Sequence, residues 1–249
     1  MKILVIGNGA REHAVTWKFA RSNRISGLFC APGNAGTADL ADNLEIDPAD
    51  HQAVIAAVRQ HSIDLVFIGP ESPLAAGLAD DLRSENIACF GPGREAAQLE
   101  SSKVFSKDFM IRHGIPTAAA VTCKTQEELA DALESRSGMQ VLKKSGLAAG
   151  KGVLESDDPE RILAFASEAF AAGDEVLLEE YLSGFEISVF VLFDGSNYLT
   201  LPPCADYKKA GEGDSGPNTG GMGAICPVPW LSTTILDEIL TGVVEPTVH

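Results

Sequence analysis

A glycine-rich segment, residues 146–152, has the composition of a phosphate-binding loop, and Lys143 precedes it. It departs from a Walker A loop, because its first glycine is one residue too close to Gly150 and Gly152 replaces the hydroxyl residue. Strands are predicted on both sides. A glycine loop between strands suits a flap whose N–H groups face a triphosphate, with Lys151 or Lys143 as counter-charge. A solvated hairpin is the alternative.

Residues 206–224 form a second stretch in which polar groups that could hold a substrate stand among glycines. Asp206 and Asp214 supply carboxylates, Lys208 an ammonium group and Asn218 an amide. A surface loop of this length is usually functional or disordered. We predict a functional loop, because positioned acid, amide and hydroxyl groups are typical of loops that bind substrates.

Small residues also follow three predicted strands of the N-terminal half: Gly7-Asn8-Gly9, residues 32–37 and Gly69-Pro70-Glu71. Small side chains let a ligand approach the backbone, and a helix that starts after Gly9 would point N–H groups at an anion. Glycines that only make tight turns are the alternative. A dinucleotide site is disfavoured, because Glu12 replaces the third glycine of G-x-G-x-x-G and Cys30-Ala31-Pro32 replaces the acid that would bind the ribose.

Hydrophobic patterning in residues 1–100 predicts alternating strands and helices, and therefore β-α-β units with a parallel sheet. The predicted strands are residues 2–6, 27–31, 63–68 and 87–90, and the predicted helices are residues 11–21, 50–61 and one that starts at Pro73 with Leu74, Leu78 and Leu82 on one face. Ligands of such sheets bind beyond the carboxyl ends of the strands. The small residues described above lie at those ends.

The pattern changes to mixed α+β near residue 100, where we place a domain boundary. Helices are predicted at residues 102–113, 125–136, 157–172 and 230–249, and strands at residues 140–143, 153–154, 175–182 and 185–193, the last paired with residues 197–202. The predicted fold class is α/β, with an N-terminal parallel-sheet β-α-β domain followed by an α+β domain.

Composition and charge exclude several classes of protein. The 249 residues are 45% hydrophobic and 22% charged, which is typical of a globular chain with a sizeable core. A net charge of -16 disfavours nucleic acid as a partner. No apolar run suits a membrane span or a signal peptide, so we expect no membrane partner and a cytoplasmic location. The five cysteines are widely spaced and the five histidines form no helical pair, which predicts neither a disulfide framework nor a zinc or histidine metal site.

Several of these motifs together resemble the glycinamide ribonucleotide synthetase family, the phosphoribosylamine–glycine ligases of the ATP-grasp superfamily. The matching stretches are Val5-Ile6-Gly7-Asn8-Gly9, Arg11-Glu12-His13-Ala14, residues 31–37, Gly69-Pro70-Glu71 with Pro73-Leu74, residues 147–153 and residues 216–224. They extend from residue 3 to about residue 229. The first two stretches and the last one are highly specific, whereas the glycine flap alone is not.

The resemblance implies an enzyme of purine biosynthesis. ATP would phosphorylate the carboxylate of glycine, and the amine of 5-phosphoribosylamine would attack the acyl phosphate, giving glycinamide ribonucleotide, ADP and phosphate. Residues 1–100 would form the phosphoribosylamine domain and residues 101–249 an incomplete ATP-grasp domain, with a flap subdomain at about 115–182. Another ATP-grasp carboxylate–amine ligase, or a fragment that binds a nucleotide without turnover, are the alternatives.

The resemblance also assigns a role to individual residues. ATP phosphates would contact Lys103 and Lys143 under a flap that includes Gly146, Gly150, Lys151 and Gly152, with Glu179, Glu180, Tyr181 and Leu182 as the adenine hinge and Glu186 on the ribose hydroxyls. Gly9, Gly33, Asn34, Gly69, Pro70 and Glu71 would line the phosphoribosylamine site. Glycine or the amine would contact Asp206, Lys208, Asp214, Asn218, Thr219, Gly220, Gly221 and Met222. Lys143, Asp214 and Asn218 are the expected catalytic residues.

Three features depart from the family pattern. Lys144-Ser145 replaces the usual Ala-Asp, which is expected to add a positive charge near the phosphates, and Ala10 replaces a usual glycine. The chain also ends early, so the Glu and Asn that bind Mg²⁺ or Mn²⁺ are expected beyond it, and no metal ligand within it. We therefore expect a fragment that has little or no activity by itself. We also expect the flap and residues 216–224 to face one cavity.

Overall fold

The computed structural model describes residues 1–146, 152–213 and 215–249, with only the backbone at residues 217 and 218. These residues form two compact units, Met1–Ser101 (unit 1) and Ser102–His249 (unit 2). Unit 1 is a parallel α/β structure, whereas the sheets of unit 2 are antiparallel. The predicted fold class is therefore confirmed.

Unit 1 is built on a five-stranded parallel sheet whose strand order is β3-β2-β1-β4-β5. The strands are β1 Lys2–Gly7, β2 Gly27–Pro32, β3 Asp42–Asn43, β4 Leu65–Ile68 and β5 Cys89–Phe90. The helices are α1 Ala10–Ala20, α2 Ala35–Ala38, α3 His51–His61, α4 Glu71–Ala76, α5 Leu78–Ser84 and α6 Arg94–Ser101.

Both faces of the central strand β1 are buried, as expected for a parallel sheet covered on both sides. Leu4 and Ile6 belong to the larger hydrophobic cluster, with residues of α3 and α5. Ile3 and Val5 point to the opposite side and join a second cluster. Gly7 is paired with Pro32 and Ile6 with Ile68, so β1, β2 and β4 end at the same edge of the sheet.

Two predictions for unit 1 are wrong in detail. The helix expected from Pro73 onward is two helices, because Gly77 adopts φ 93° and ends α4 before α5 begins. The strand expected from Ile63 begins at Leu65. Ile63 instead donates its N–H to the carbonyl of Val58 and completes the end of α3.

The described part of unit 2 contains a four-stranded antiparallel sheet, in the order β6-β9-β7-β8, and two antiparallel strand pairs, β10-β11 and β12-β13. The strands are β6 Ala120–Cys123, β7 Gln140–Lys144, β8 Val153–Ser156, β9 Val176–Glu180, β10 Val191–Phe193, β11 Tyr198–Thr200, β12 Ala205–Gly211 and β13 Ser215–Ile225. The helices are α7 Lys103–Arg112, α8 Gln126–Glu134, α9 Pro159–Ala171, α10 Thr233–Ile239 and α11 Glu245–Val248, and a π-helical turn, Leu240–Val244, joins the last two.

Three predictions for unit 2 are corrected. The apolar run 185–193 is a strand only at Val191–Phe193, and before that it is tied to Cys204 by one isolated bridge at Ser188. The segment predicted as a long loop contains two paired antiparallel strands, Ala205–Gly211 and Ser215–Ile225. The helix expected from Trp230 begins at Thr233, where the Ser232 hydroxyl accepts the N–H of Ile235.

Helices α8 and α9 cover one face of the four-stranded sheet and form the hydrophobic core of unit 2 with Leu142 and Leu178. Alternation along β9 then directs Glu179 to the opposite face. The sheet therefore separates an apolar side, which stabilises the unit, from a side that carries charged groups.

Leu178→Ala should lower the free energy of unfolding by about 2–5 kcal/mol, because the fully buried side chain would leave a cavity. Leu199→Ala is the matched control, since Leu199 is 62% exposed and its truncation should change stability by less than about 0.5 kcal/mol. Urea unfolding followed by circular dichroism measures both. Equal effects would contradict the assignment of this core.

Candidate functional site

The glycines at the carboxyl edge of the unit 1 sheet surround the carboxylate of Glu12, which is 4% exposed. Gly9 donates its N–H to Glu12 Oε2 at 2.7 Å, in a capping box at the start of α1. A Cβ atom at Gly69 would lie 2.3 Å from Glu12 Oε1, and one at Gly7 would lie 2.5 Å from Glu12 Cγ. These glycines therefore make room for an acidic side chain of the protein itself, a role that the sequence did not predict.

Arg11 and Glu71 form an ion pair at the surface of the same edge. Arg11 Nη2 donates to Glu71 Oε1 at 2.9 Å and Nη1 donates to the carbonyl of Gly69 at 3.3 Å. Burial raises the pKa of Glu71, but hydrogen bonds from its own backbone N–H and from Arg11 outweigh it and hold the pKa below its ordinary value. Glu71 is thus an ionised partner of Arg11.

Asn34 connects the ends of β1 and β2. Its Nδ2 donates to the carbonyl of Asn8 at 2.9 Å, while its Oδ1 accepts the N–H groups of Gly36 and Thr37 and caps the short helix α2. Gly33 adopts φ 72°, and a Cβ there would lie 2.3 Å from Asn43 Oδ1. Both residues therefore have a structural role in the loop that was predicted to bind substrate.

A cavity of about 770 Å³ opens at this edge of unit 1. Gly7, Asn8, Pro32 and Pro70 line it from the strand ends, and residues 45–49 line it from the segment before α3. Of the residues predicted to line the phosphoribosylamine site, Pro70 lines this cavity. Gly9 and Gly69, which belong to the same predicted set, instead lie against the side chain of Glu12.

The charged face of the unit 2 sheet holds a cluster of three side chains centred on Glu179. Lys107 Nζ lies 2.8 Å from Glu179 Oε1, and Lys143 Nζ lies 2.5 Å from Oε2. Lys107 is 4% and Glu179 7% exposed, whereas Lys143 is 32% exposed. Burial raises the pKa of Glu179, but hydrogen bonds and charges from both lysines outweigh it and keep the pKa below its ordinary value.

The Lys107 ammonium group has all three of its donors satisfied. It donates to Thr117 Oγ1 at 2.6 Å and to the carbonyl of Ala118 at 2.8 Å, in addition to Glu179. Lys107 is thus a fixed internal cation, while the more exposed Lys143 shares the same carboxylate. The helix predicted at residues 102–113 contains Lys107, but no role was predicted for this lysine. Its position one turn after Lys103 was the available signal of a charged helix face.

The two lysines predicted to contact phosphates lie at the base of the glycine-rich segment. Lys103 Nζ donates to the carbonyl of Gly146 at 2.7 Å, and Lys143 lies on β7, which leads into that segment. On the far side, the carbonyl of Gly152 accepts the N–H of Lys144 at 2.8 Å. Gly150 and Lys151 lie outside the described residues, as does most of the predicted flap.

Lys144 does not add positive charge beside Lys143. Its Nζ lies 2.9 Å from Glu168 Oε2 and 4.5 Å from the centre of the Phe165 ring, and both residues belong to α9. Consecutive side chains of a strand point to opposite faces, so Lys144 points away from Lys143, and the expected effect of its charge on bound phosphates stays a prediction.

The predicted adenine hinge includes the last two residues of β9, Glu179 and Glu180, and continues beyond the end of the strand. Glu180 is exposed; its carboxylate accepts the N–H of Ala119 at 2.7 Å, and its own N–H donates to the Ala119 carbonyl. Tyr181 and Leu182 are exposed beyond the end of the strand. The carboxylate of Glu179 is occupied by the two lysines, so the role predicted for this residue in the hinge would fall to its backbone.

Glu186, Lys208 and Asp206 form a second charged cluster. Lys208 Nζ contacts Glu186 Oε1 and lies 3.5 Å from Asp206 Oδ2. The hydrogen bond with Glu186 raises the pKa of Lys208 more strongly than burial lowers it. Glu186 is exposed and lies outside any strand, contrary to its predicted place in a strand. Asp206 Oδ1 is buried and has no hydrogen-bond partner among the described residues.

The remaining predicted substrate residues lie on β13. Gly220, Gly221 and Met222 are on this strand, with Met222 exposed, and Thr219 Oγ1 accepts the N–H of Gly221. Asp214 and the side chain of Asn218 lie outside the described residues. Lys209 on β12 pairs with Glu155 on β8 at 3.1 Å. The expected common cavity of flap and late segment therefore stays a prediction.

No group of three or more His, Cys, Asp or Glu side chains in the described ranges could hold a metal ion. Within those same ranges, no helix has both the length and the apolar character needed to cross a membrane.

Comparison with known protein families matches the chain from one end to the other. Residues 1–100 match the N domain of phosphoribosylglycinamide synthetase, and residues 101–249 match its ATP-grasp (A) domain. Three similar proteins are the phosphoribosylamine–glycine ligases of Agrobacterium fabrum (47% identical) and Streptomyces coelicolor (46%), and the human trifunctional purine biosynthetic protein adenosine-3 (45%). They align with 100%, 100% and 99% of this chain, and the alignments cover 60%, 59% and 25% of those proteins. The chain thus spans about 60% of the length of the two bacterial relatives.

Solved structures give the same result. The phosphoribosylamine–glycine ligase of Thermotoga maritima superimposes on all of the chain, with a TM-score of 0.83, 31% identity and 60% of its own length covered. The D-alanine–D-alanine ligase of Bacillus anthracis in complex with ATP has a TM-score of 0.67, 19% identity and coverage of 100% of this chain and 78% of its own. The second likeness shows the fold alone.

Gly69→Ala should destabilise unit 1 by about 1–3 kcal/mol, because the new methyl group would overlap the buried Glu12 carboxylate. Glu12→Ala should remove that overlap. The double variant should therefore be less destabilised than the sum of the two single variants, by at least about 0.5 kcal/mol. Urea unfolding of the four proteins measures this coupling, and additive effects would refute the proposed packing.

Glu179→Gln should destabilise unit 2 by about 3–5 kcal/mol, because it leaves the buried Lys107 without its counter-charge. Folding lowers the pKa of Glu179, so its contribution is present above the unfolded value of about 4.5 and is lost as pH falls through the lower folded value. The variant should therefore lose less stability than the wild type when urea unfolding is repeated below about pH 4.5.

The control for this experiment is Glu175→Gln, which breaks the exposed pair between Glu175 and Lys124. Exposed pairs contribute little to stability because water and salt screen them, so a small effect is expected. If both glutamines have the same effect, the buried cluster does not stabilise the unit.

Proposed function

The chain belongs to the phosphoribosylglycinamide synthetase family, and on this premise we propose that it supplies the N and ATP-grasp domains of a phosphoribosylamine–glycine ligase. The enzyme would use ATP to join glycine to 5-phosphoribosylamine, giving glycinamide ribonucleotide, ADP and phosphate. The observation that carries the proposal is the pair of family matches, which follow one another and together include every residue. The cytoplasmic location expected from the sequence stays a prediction.

Lys103 and Lys143 are suited to hold a polyphosphate. Lys103 contacts the carbonyl of Gly146, and Lys143 lies on the strand that leads to the same residue. Lys107 already compensates the charge of Glu179 from the buried side, so the ammonium group of Lys143 is free to make a further contact. This partly exposed group can approach a phosphate oxygen while the Glu179 carboxylate keeps it in place. Positioning and neutralisation of this kind are the main requirements of phosphoryl transfer.

Phosphorylation of glycine makes its carboxylate a good acyl donor. The glycine oxygen bonds to the γ-phosphorus and ADP leaves. The amine of phosphoribosylamine then bonds to the carbonyl carbon, phosphate leaves, and the amine loses a proton. Lys103, Lys143 and the glycine-rich segment would neutralise the charge and exclude water from the acyl phosphate.

The second charged cluster, formed by Glu186, Lys208 and Asp206, is suited to bind an amino acid or an amine. Asp206 Oδ1 is buried without a hydrogen-bond partner among the described residues, and a buried acceptor is costly unless it is paired. An amine of the substrate could donate to it. Lys208 beside it could pair with a carboxylate or an acyl phosphate. Asp214 and Asn218 remain proposed catalytic residues.

The cavity of unit 1 is the proposed site of phosphoribosylamine. Gly7, Asn8 and Pro70 line it at the carboxyl ends of the strands, where ligands of parallel sheets bind. Helix α1, 11 residues long, begins beside them, and its first N–H groups would favour the phosphate.

A divalent cation, Mg²⁺ or Mn²⁺, stays a proposed cofactor that would neutralise charge on the ATP phosphates. No cluster of acidic, histidine or cysteine side chains within the described ranges could bind it. The roles proposed for Lys103, Lys143 and the second charged cluster therefore concern only how this chain's own residues bind and orient the substrates.

Lys143→Ala should lower kcat by about 100-fold, because a fixed counter-charge to the phosphates is lost. Lys144→Ala is the matched control: it removes the adjacent lysine, which points to α9, and should change kcat by less than about twofold. The measurement is ADP formation that depends on both glycine and phosphoribosylamine, in the longest natural polypeptide that contains this sequence. Equal rates for the two variants would mean that Lys143 is misassigned.

The same assay separates the alternatives. ADP formation with another carboxylate and amine, but not with glycine and phosphoribosylamine, would favour a different ATP-grasp ligase. Calorimetric titration of the 249-residue chain with ATP tests the non-catalytic alternative, which predicts affinity without turnover in every natural form.

A further inference from the structure

Two cysteines lie side by side at the base of the β12-β13 hairpin. Cys204 immediately precedes Ala205 and Cys226 immediately follows Ile225, and these two residues are paired across the strands. Both thiols donate to one acceptor, the carbonyl oxygen of Pro202, at 3.5 Å from Cys204 Sγ and 3.7 Å from Cys226 Sγ. The two thiols are also close enough for a hydrogen bond with each other, which contributes to the raised pKa of Cys204.

The geometry of the hairpin suits a covalent link. Opposite residues of antiparallel strands have Cα atoms about 4.5–5.5 Å apart, which lies within the span of about 4.4–6.8 Å that disulfides bridge. Both cysteines are free thiols, and Cys226 is exposed while Cys204 is partly exposed. The buried Cys30 and Cys123 have no comparable access to a reagent.

We infer that Cys204 and Cys226 form a redox-active dithiol, which a low-molecular-weight disulfide such as oxidised glutathione converts to an intramolecular disulfide. The wide separation of the two cysteines in the sequence gave no indication of a pair. The fold brings them together because β12 and β13 are antiparallel.

The reaction proceeds by two exchanges. The exposed Cys226 thiolate attacks the reagent, forms a mixed disulfide and releases one small thiolate, which takes up a proton. The Cys204 thiolate then attacks the Cys226 sulfur and releases the second thiolate, so the two cysteines lose two electrons and two protons and the reagent gains both.

The second exchange should be faster at higher pH. A hydrogen bond with Cys226 and, to a smaller extent, burial raise the pKa of Cys204, so its thiolate is scarce near neutral pH.

The link would fix the base of the hairpin that carries Asp206 and Lys208. Cys204 is already held by two backbone hydrogen bonds with Ser188, at 2.7 and 2.9 Å. Any consequence for substrate binding rests on the proposed function. Disulfide formation does not, and it can be measured without any ligand.

The experiment exposes the 249-residue chain to glutathione buffers of increasing disulfide content, followed by acid quenching, alkylation of the unfolded chain and mass spectrometry. Alkylatable thiols should fall from five to three, with a linked peptide pair that contains Cys204 and Cys226 and is lost on addition of dithiothreitol. The conversion should be faster at about pH 8 than at about pH 7.

Three variants complete the test. Cys204→Ser and Cys226→Ser should each abolish the linked peptides, whereas Cys89→Ser should still lose two thiols, because Cys89 donates to the carbonyl of Ala79 in unit 1 and is not part of the pair. Unchanged circular dichroism spectra show that the variants are folded. Retention of all five thiols by the wild type, or glutathione adducts without a Cys204–Cys226 link, would overturn the inference.

Discussion

The charged face of unit 2 depends on the ion pairs that the buried, ionised carboxylate of Glu179 forms with Lys107 and Lys143. A buried charge is tolerated only when it is paired and hydrogen-bonded. Lys107 meets this need from the protein interior, with all three of its donors satisfied. Lys143 shares the same carboxylate from a more exposed position. One carboxylate thus stabilises the sheet and holds a positive charge at the base of the glycine-rich segment.

Unit 1 shows a related arrangement with a different purpose. Glu12 is buried at the edge of the parallel sheet, and the absence of side chains at Gly7, Gly9 and Gly69 provides its space. A cavity opens beside these residues. Glycines at strand ends therefore have two compatible explanations: they admit an internal carboxylate, and they leave the neighbouring edge open to a ligand.

The parallel sheet and the α+β unit could be predicted from the sequence, because apolar runs such as Lys2–Gly7 have few alternative structures. The β12-β13 strand pair could not be predicted, because its many glycines interrupt the alternation of apolar and polar side chains that indicates a strand. The partner of Glu179 was equally invisible, because Lys107 and Lys143 become neighbours only when α7 packs on the sheet. The family resemblance indicated Lys103 and Lys143, but only the direction of the side chains on β7 distinguishes Lys143 from Lys144.

A crystal structure of the chain with a non-hydrolysable ATP analogue tests the central claim most directly. We expect Lys143 Nζ within hydrogen-bond distance of a phosphate oxygen, with Glu179 still in contact with Lys107 and with Lys144 still on α9. Phosphates bound away from Lys143, or a Lys107 that has left Glu179 in the complex, would contradict the account.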